Sequence, residues 1–287
     1  MKSTPYDNPI AAYDRVAAHY ANLSRRREQY LLGVEGEIIS QIPPGSRSLL
    51  DLGAGDGTRA LRIAKQSGIE RVVLVEPSKG MASQKSLDHA EIWPVRAETL
   101  AEYCTVSAGS TNFAEAEEGY WHGGPETAEG GCPHTIAERF DVITCLWNVI
   151  GHIPGADQRQ RALRAVATLL SPGGRFFLDV NHRYNLRSYG VLPTSARWIR
   201  DLFFPSEHNG DVLARWSLDE SSISTYGHVF TNREIMRLAE SSGLEFQEQI
   251  VVDYETGRIR RFPFLGNLLY VFRRSSRMDS SSAPQTS

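Results

Sequence analysis

A glycine-rich segment, DLGAGDGT at residues 51–58, constrains the fold of this 287-residue chain more than any other feature. An apolar run at residues 48–52 leads into it with the length of a buried strand, and helical spacing begins at Thr58. Glycine has no Cβ, so the backbone between strand and helix can turn sharply and a ligand can approach it closely. This order of elements predicts a ligand site at the carboxyl edge of a sheet in an open α/β fold.

The rest of the sequence alternates between strand-like and helix-like segments. The apolar runs predict strands at residues 48–52, 71–75, 92–95, 140–146 and 175–180. Helices are predicted before and between these strands, at residues 10–32, 34–42, 58–66, 79–89 and 157–170. A helix at 232–242 and strands at 246–254 and 268–272 complete the pattern. Strands that alternate with helices predict an α/β fold with a doubly wound, mainly parallel sheet.

Three segments depart from this alternation. Residues 104–138 contain six glutamates and six glycines but no lysine or arginine, which predicts a flexible acidic insertion, with a lid over the site as the alternative. Residues 182–229 are rich in aromatics and arginine, and antiparallel strands at 212–216 and 222–229 would make them a substrate cap inserted after the fifth strand. The expected division of the chain is a helical lid at 1–45, a ligand-binding domain at 46–181 and 230–274, the cap at 182–229 and a disordered tail at 275–287.

Composition narrows the classes of partner and compartment. The net charge of −3 argues against a broadly basic nucleic-acid surface, and we interpret the basic, aromatic run at 258–264 as a solvated turn rather than an RNA contact. No apolar run approaches the ~18 residues that span a bilayer, so no membrane partner is expected. Cys104, Cys132 and Cys145 include no CxxC pair, and no metal site is predicted. The polar N-terminus is unlike a signal peptide, which predicts a cytoplasmic protein, and the oligomeric state is left open.

An acidic residue at the end of the second strand indicates a nucleoside ligand. Glu76 follows Gly57 by nineteen residues, where a carboxylate can accept hydrogen bonds from both ribose hydroxyls. The loop has the spacing G-x-G-x-G, with Thr58 where a dinucleotide loop needs its third small residue. Asp51, two residues before the first glycine, suits a positively charged amino-acid group better than a pyrophosphate. These features favour S-adenosylmethionine over NAD.

Together the motifs resemble those of class I S-adenosylmethionine-dependent methyltransferases of the small-molecule type. The matching pieces are LLDLGAGDGT (49–58), VVLVEPS (72–78), FDVITCLWNVIGHI (140–153), LLSPGGRFFLDV (169–180) and FTNREIMRLAESSGLEF (230–246). AAYDRVAAHYANL (11–23) resembles the N-terminal helix that closes over the cofactor in small-molecule members. The resemblance implies a Rossmann-like methyltransferase fold and S-adenosyl-L-methionine as the cofactor.

The resemblance also implies which residues hold that cofactor. Its methionine end would lie against the loop formed by Asp51, Gly53, Ala54, Gly55, Asp56 and Gly57. Glu76 would hold the ribose hydroxyls with Pro77 beside the adenine, and Leu146 would line the methionine and substrate side. Ala97 and Glu98 would face the adenine edge. Members commonly carry an acid where this chain has Arg96, so either Glu98 contacts the adenine amine or packing alone holds the ring.

The segment after the fourth strand supplies the candidates for the chemistry. His152 titrates near neutral pH and is the candidate general base, with a turn cap or a backbone contact as the alternative. Asn148 would orient a substrate amine or carboxylate, unless it forms a structural hydrogen bond. Both lie next to the expected transfer site, as does Trp147, a candidate for substrate contact.

Candidates for substrate binding come from two further parts of the chain. Tyr13 and Tyr20, on the N-terminal helix, could cover the site, Tyr13 on the substrate side and Tyr20 on the cofactor side, although packing alone could explain one of them. Arg183, after the fifth strand, could bind a substrate anion through two hydrogen bonds or form a surface salt bridge, and Tyr184 lies beside it.

The function that these patterns favour is transfer of a methyl group from S-adenosylmethionine to a small-molecule acceptor by in-line displacement at nitrogen, oxygen, sulfur or carbon. The cofactor supplies the activated methyl group, so the protein mainly positions the nucleophile. A non-catalytic S-adenosylmethionine-binding subunit with a regulatory or scaffolding role is the alternative. An NAD-dependent oxidoreductase is the third hypothesis, and the glycine spacing argues against it.

Overall fold

The computed structural model describes residues 8–83, 90–106, 138–217 and 222–276. Most of the predicted acidic insertion, nearly all of the predicted tail, and Cys132 lie outside the described residues. So does the second half of the helix predicted at 79–89, of which α5 (Lys79–Ala82) is described.

One eight-stranded sheet forms the centre of the fold. Its members are β1 (Ser48–Leu52), β2 (Arg71–Val75), β3 (Glu91–Trp93), β4 (Phe140–Cys145), β5 (Leu170–Val180), β8 (Leu244–Val252), β9 (Ile259–Arg260) and β10 (Asn267–Arg274). The strand order is β3-β2-β1-β4-β5-β10-β8-β9. The first five strands in this order pair in parallel, and β10 runs antiparallel to both β5 and β8. The predicted doubly wound, mainly parallel sheet is confirmed.

Helices cover both faces of this sheet. The flanking helices are α3 (Glu28–Gln41), α4 (Thr58–Ser67), α6 (Leu100–Val106), α7 (Ala156–Leu169) and α10 (Asn232–Ser241). Successive side chains of a strand point to opposite faces, so Leu49 of β1 joins the core under α3 and α4 while Leu50 joins the core under α7 and α10. Burial on both faces explains why the central strands read as continuous apolar runs.

The N-terminal region differs from the single helix predicted at 10–32. It forms α1 (Pro9–Val16), a 3₁₀ turn (Ala17–His19) and α2 (Tyr20–Arg25), and α3 then begins at Glu28, before the predicted start at residue 34. The break has a packing reason. Ala12 and Val16 of α1 pack with Ile223, whereas Tyr30 and Val34 of α3 pack on the sheet, so one straight helix could not serve both surfaces.

The start of β5 also differs from the prediction. The sequence Ser-Pro-Gly-Gly at 171–174 predicts a helix stop followed by a strand from residue 175, but β5 begins at Leu170. Phe140 of β4 pairs with Leu170 and Val142 pairs with Arg175, so residues 171–174 form an irregularity within the strand. Elsewhere the predicted boundaries shift by a few residues, as at β3 and β8.

The segment after β5 forms two helices and a hairpin. These are α8 (Leu186–Tyr189), α9 (Val191–Phe203), β6 (Asp211–Ser217) and β7 (Ser222–His228). The predicted antiparallel pairing is confirmed, with Leu213 opposite Tyr226. Among the described residues, no helix is long and apolar enough to cross a membrane, and no cluster of side chains could hold a metal ion.

Candidate active site

The glycine loop between β1 and α4 has a backbone that requires glycine. Gly53 and Gly55 have φ of +65° and +62°, in the left-handed region that side chains rarely adopt. A Cβ on Gly55 would lie 3.1 Å from the Tyr20 hydroxyl oxygen, and one on Gly53 would overlap the side chain of Val149. A side chain at Gly53 would therefore clash with Val149, and one at Gly55 would crowd Tyr20.

Glu76 lies at the end of β2 and faces this loop. One carboxylate oxygen accepts a hydrogen bond from the Gly55 N–H and the other from the Ser78 N–H, each at 2.8 Å. Burial raises the pKa of Glu76 to about 7, although the two backbone N–H groups oppose the shift. Each oxygen retains a lone pair that a ligand hydroxyl can use.

Asp51 is the second buried carboxylate of the site. It accepts a 2.6 Å hydrogen bond from the Thr144 hydroxyl of the neighbouring strand β4. Burial raises its pKa to about 6, and the Thr144 bond and the Arg59 charge oppose that shift. Two buried carboxylates with raised pKa values in one cleft are typical of a functional site rather than a structural ion pair.

A pocket opens between this loop, the end of β4 and the N-terminal helix, with about 1080 Å³ of empty space that is open to solvent on one side. Of the predicted site residues, the following line it: Tyr13, Tyr20, Asp51, Gly53, Ala54, Gly55, Glu76, Pro77, Ala97, Glu98, Leu146, Trp147 and His152. Five others do not: Asp56, Gly57, Asn148, Arg183 and Tyr184.

Two arginines in the pocket wall have unsatisfied nitrogens. Arg59, in the first turn of α4, has its Nε and Nη2 buried without a hydrogen-bond partner in the described part of the chain, and its Nε lies 3.5 Å from a Glu35 carboxylate oxygen. The Nε of Arg96 is also buried without a hydrogen-bond partner among the described residues. Sequence reasoning missed Arg59 altogether. A cation placed directly after a glycine loop was the signal that could have revealed it.

Aromatic rings from the N-terminal helices cover the pocket. The Tyr20 ring lies 5.8 Å from that of Trp147, and the Tyr13 ring meets His152 edge-on at 5.5 Å. Tyr13 also lies 5.1 Å from Trp216 of β6. These contacts join α1, α2 and the hairpin over the opening, and burial raises the pKa of Tyr13, which therefore remains protonated at neutral pH.

One ring nitrogen of His152 contacts the backbone. Its Nδ1 lies 2.9 Å from the carbonyl oxygen of Tyr226. A carbonyl oxygen only accepts, so Nδ1 carries the hydrogen and Nε2 carries the lone pair. Burial lowers the pKa of His152, which keeps the ring neutral. The backbone contact, which is the alternative to a general base, is present, and His152 also lines the pocket, so the general-base role stays a prediction.

Asn148 occupies a strained turn behind the pocket wall. Trp147 and Asn148 have φ of 58° and 62°, and the Asn148 amide donates to the His228 carbonyl oxygen at 3.1 Å and accepts from the Asn181 N–H at 3.0 Å. Its side chain is buried and both of its polar atoms are engaged with backbone. The structure therefore favours the structural hydrogen bond over the substrate-orienting role expected for Asn148, and this turn places Trp147 in the pocket wall.

Arg183 and Tyr184 lie away from the pocket. The Arg183 guanidinium is buried and donates to Asp201 at 3.0 Å and to Glu234 at 2.8 Å, and Tyr184 donates to the same Asp201 carboxylate. Neither the substrate-anion contact nor the surface salt bridge expected for Arg183 matches this position. The sequence could not indicate these ion pairs, because Arg183, Asp201 and Glu234 lie far apart along the chain.

The fold is an α/β fold with a mainly parallel sheet, and the glycine loop and Glu76 line one pocket beside it. The family model described as "Methyltransferase domain" matches residues 23–249. The chain therefore belongs to this methyltransferase-domain family, which confirms the predicted class of S-adenosylmethionine-dependent methyltransferases.

Individual methyltransferases also resemble this chain, at low sequence identity. Human glycine N-methyltransferase is 26% identical over 164 residues, which cover 54% of this chain and 50% of that protein. A ubiquinone biosynthesis O-methyltransferase of Coxiella burnetii is 26% identical over 118 residues, 41% of this chain and 42% of that protein. The chain thus spans about half the length of the curated relatives it matches. The crystal structure of an S-adenosylmethionine-dependent methyltransferase from Clostridium acetobutylicum shares the fold, with a TM-score of 0.56, 14% identity and coverage of 92% of this chain and 99% of that one.

Proposed function

We propose that the protein transfers a methyl group from S-adenosylmethionine to a small-molecule acceptor. One observation carries this proposal: the glycine loop, the Glu76 carboxylate and His152 line a single pocket. The relatives are named for different acceptor atoms, one an N-methyltransferase and the other an O-methyltransferase. Their names therefore do not select one acceptor, and our proposal includes nitrogen, oxygen, sulfur and carbon. Aromatic rings narrow the opening, which favours a small acceptor over a nucleic acid.

The residues of the pocket fit this cofactor. The loop residues Gly53 and Gly55 line the pocket, and Glu76 has lone pairs for ribose hydroxyls. The Arg59 Nη2, which has no hydrogen-bond partner in the described part of the chain, suits the methionine carboxylate. Asp51 suits the positive charge at the same end. Pro77, Ala97 and Glu98 line the part of the pocket assigned to the adenine, where Arg96 replaces the usual acid.

Asp56 and Gly57 support the loop without lining the pocket. Asp56 accepts a hydrogen bond from the Thr58 N–H at 3.1 Å and so fixes the start of α4. Gly57 has φ of +69°, which allows the turn into that helix. Their predicted contact with the cofactor is replaced in our proposal by this positioning role.

The bound cofactor supplies an activated methyl group, and the protein provides position and proton transfer. His152 holds its Nδ1 hydrogen on the Tyr226 carbonyl, which leaves Nε2 to accept a proton from the acceptor. Tyr13 and Trp216 pack against the His152 ring. Trp147 and Leu146 form the wall on the substrate side.

Transfer of labelled methyl from S-adenosylmethionine to a panel of small amines, phenols, thiols and carbon acids tests this function. His152→Ala is expected to lower turnover by roughly 10²-fold or more while the affinity for S-adenosylmethionine stays unchanged. His208→Ala is the matched control, because His208 is exposed and lies outside the pocket lining. Cofactor binding without transfer to any acceptor of the panel would favour the non-catalytic subunit. An unchanged rate in His152→Ala would restrict His152 to its backbone contact.

A further inference from the structure

Helix α9 turns its apolar side away from the protein. Its large apolar side chains are more than half exposed, with Leu192 at 84% and Phe203 at 68%. The other members of this exposed row are Val191, Trp198, Ile199 and Leu202, and Phe204 follows at the end of the helix. A surface helix of a globular protein normally buries such a row.

The polar side of α9 is the side that packs on the protein. Thr194, Arg197 and Asp201 recur at the three- and four-residue spacing of one helix face. Thr194 is buried, the Arg197 guanidinium lies 4.1 Å from the centre of the Tyr189 ring, and Asp201 accepts hydrogen bonds from Arg183. These contacts hold the polar side of α9 against the protein. The apolar side of the helix therefore faces solvent.

A neighbouring loop extends the same surface. Phe262 and Phe264 are stacked with their ring centres 5.5 Å apart, and both are more than two-fifths exposed, as is Ile259. Phe264 and Trp198 line one shallow groove, which places the loop beside α9. We call the exposed apolar residues of both elements the α9 face: Val191, Leu192, Trp198, Ile199, Leu202, Phe203, Phe204, Ile259, Phe262 and Phe264.

The α9 face is larger than a monomer normally exposes. Aromatic side chains present ~150–250 Å² each, so five of them with five aliphatic chains expose on the order of 1,000 Å². The largest apolar patch on a typical soluble monomer is about 300–600 Å². A surface of this size indicates a binding partner.

Exposed arginines border the α9 face. Arg200 lies on α9, and Arg258 and Arg261 flank the aromatic residues of the loop. The Arg261 guanidinium lies 5.7 Å from the centre of the Phe262 ring. These cations stand out on a chain whose net charge is −3. An apolar surface with tryptophan, phenylalanine and bordering arginines matches the features of helices that lie in the interface of an anionic bilayer.

We propose that the α9 face docks the protein on an anionic lipid surface. The apolar side chains would enter the boundary of headgroups and acyl chains, and the arginines would meet the lipid phosphates. A second copy of the chain fits less well, because a two-fold interface places a surface against itself and would bring the bordering arginines together. This peripheral contact needs no spanning helix, and it departs from the sequence expectation of no membrane partner.

Co-sedimentation of the full chain with vesicles of phosphatidylcholine, with and without phosphatidylglycerol, tests this proposal. The protein is expected to bind the phosphatidylglycerol vesicles and to remain in solution with phosphatidylcholine alone. Leu192→Glu with Phe203→Glu is expected to abolish binding. Arg258→Ala with Arg261→Ala is expected to weaken binding by about 30-fold, since each cation near an anionic surface contributes about a factor of five. Leu32→Glu, an exposed apolar side chain on α3, is the control and should bind as the wild type does.

Three results would overturn the proposal. The first is a wild-type protein that leaves phosphatidylglycerol vesicles unbound. The second is binding that survives the Leu192 and Phe203 substitutions, which would place the lipid contact elsewhere. The third is a stable dimer in light scattering that the same substitutions dissociate while vesicle binding is absent, which would make the α9 face an interface between copies. Circular dichroism of each variant checks that the fold is retained. The variant with both arginines replaced tests the lipid contact without a change to the apolar side chains.

Discussion

At the scale of single residues, the pocket contains two buried carboxylates with raised pKa values. Burial raises the pKa of Asp51 to about 6 and that of Glu76 to about 7. Both values lie above the ~4 of carboxyl groups in an unfolded chain. As pH rises, Asp51 and Glu76 therefore keep their protons longer in the folded protein than in the unfolded chain. The free energy of unfolding that the two protonated groups contribute is lost as the pH rises through about 6 for Asp51 and about 7 for Glu76. A positive ligand charge beside Asp51 and ribose hydroxyls that donate to Glu76 favour the ionised forms and offset that loss.

This linkage predicts a pH-dependent effect of the cofactor on melting temperature. The increase in melting temperature caused by saturating S-adenosylmethionine should be larger at about pH 8 than at about pH 5, because both carboxylates are ionised at the higher pH. S-adenosylhomocysteine, which lacks the sulfonium charge, should show a smaller difference between the two pH values. Thermal denaturation measures both, and Glu76→Gln should reduce the difference. An identical increase at both pH values would mean that the two carboxylates lie outside the charged part of the site.

Arg59 gives a second prediction at this scale. Arg59→Gln should weaken S-adenosylmethionine binding by about 10- to 150-fold, since a charge-assisted hydrogen bond contributes ~1.5–3 kcal/mol. Binding of methylthioadenosine, which has no amino-acid carboxylate, should stay the same. Arg62→Gln is the matched control, because Arg62 pairs with the same Glu35 but is absent from the pocket wall. Equal losses for both ligands in Arg59→Gln calorimetry would contradict the assignment of Arg59 to the carboxylate.

At the scale of elements, a buried charge network joins the segment after β5 to the rest of the fold. His228 of β7 lies 2.7 Å from an Asp211 oxygen and 2.8 Å from a Glu234 oxygen. Arg183 contacts Glu234 and Asp201, and thereby connects α10 with α9. The hairpin and α9 are thus held by charged hydrogen bonds, while the hairpin also packs on α1 through Ile223.

Removal of Arg183 should therefore act on stability. Arg183→Met leaves the Asp201 and Glu234 carboxylates without their shared cation and is expected to lower the free energy of unfolding by about 3–5 kcal/mol. The affinity for S-adenosylmethionine should change little, because Arg183 lies outside the pocket lining. Denaturant unfolding and calorimetry measure the two quantities. Arg47→Met is the control, since Arg47 pairs with Glu70 at the exposed surface. A strong loss of substrate turnover with unchanged stability would return Arg183 to the substrate role expected from the sequence.

The central elements could be predicted from the sequence because their signals are local. The limits predicted for β1 and β2 coincide with those observed, and the glycine loop between β1 and α4 has the backbone that its spacing requires. The division of the N-terminal helix at Ala17 could not be predicted. It depends on packing against Ile223, more than two hundred residues away along the chain.

At the scale of the whole molecule, the difference between the predicted site residues and those that line the pocket has a physical cause. Residues on the glycine loop and strand ends reach the pocket because the parallel sheet brings its carboxyl ends to one edge. Asn148 and Arg183 also follow strands, but their polar groups are taken up by partners that only the folded chain brings close. Arg59 shows the reverse case, in which a helix position that carried no motif faces the pocket.

The outward apolar side of α9 also belongs to this scale. The sequence of α9 is amphipathic, which alone predicts a helix that packs its apolar side inward. The ion pairs of Asp201 with Arg183 reverse that orientation. A partner surface is therefore visible only once the polar contacts of the fold are known.

Calorimetric titration of the wild type, Gly55→Ala and Gly68→Ala with S-adenosylmethionine, S-adenosylhomocysteine and NAD tests the central claim most directly. Both glycines are left-handed, at φ of +62° and +69°, so both substitutions strain the backbone, but only Gly55 faces the pocket. The account predicts binding of both sulfur nucleosides and none of NAD, an affinity lowered by about tenfold or more in Gly55→Ala, and wild-type affinity in Gly68→Ala. Binding of NAD in place of the sulfur nucleosides, or undiminished binding in Gly55→Ala, would contradict it.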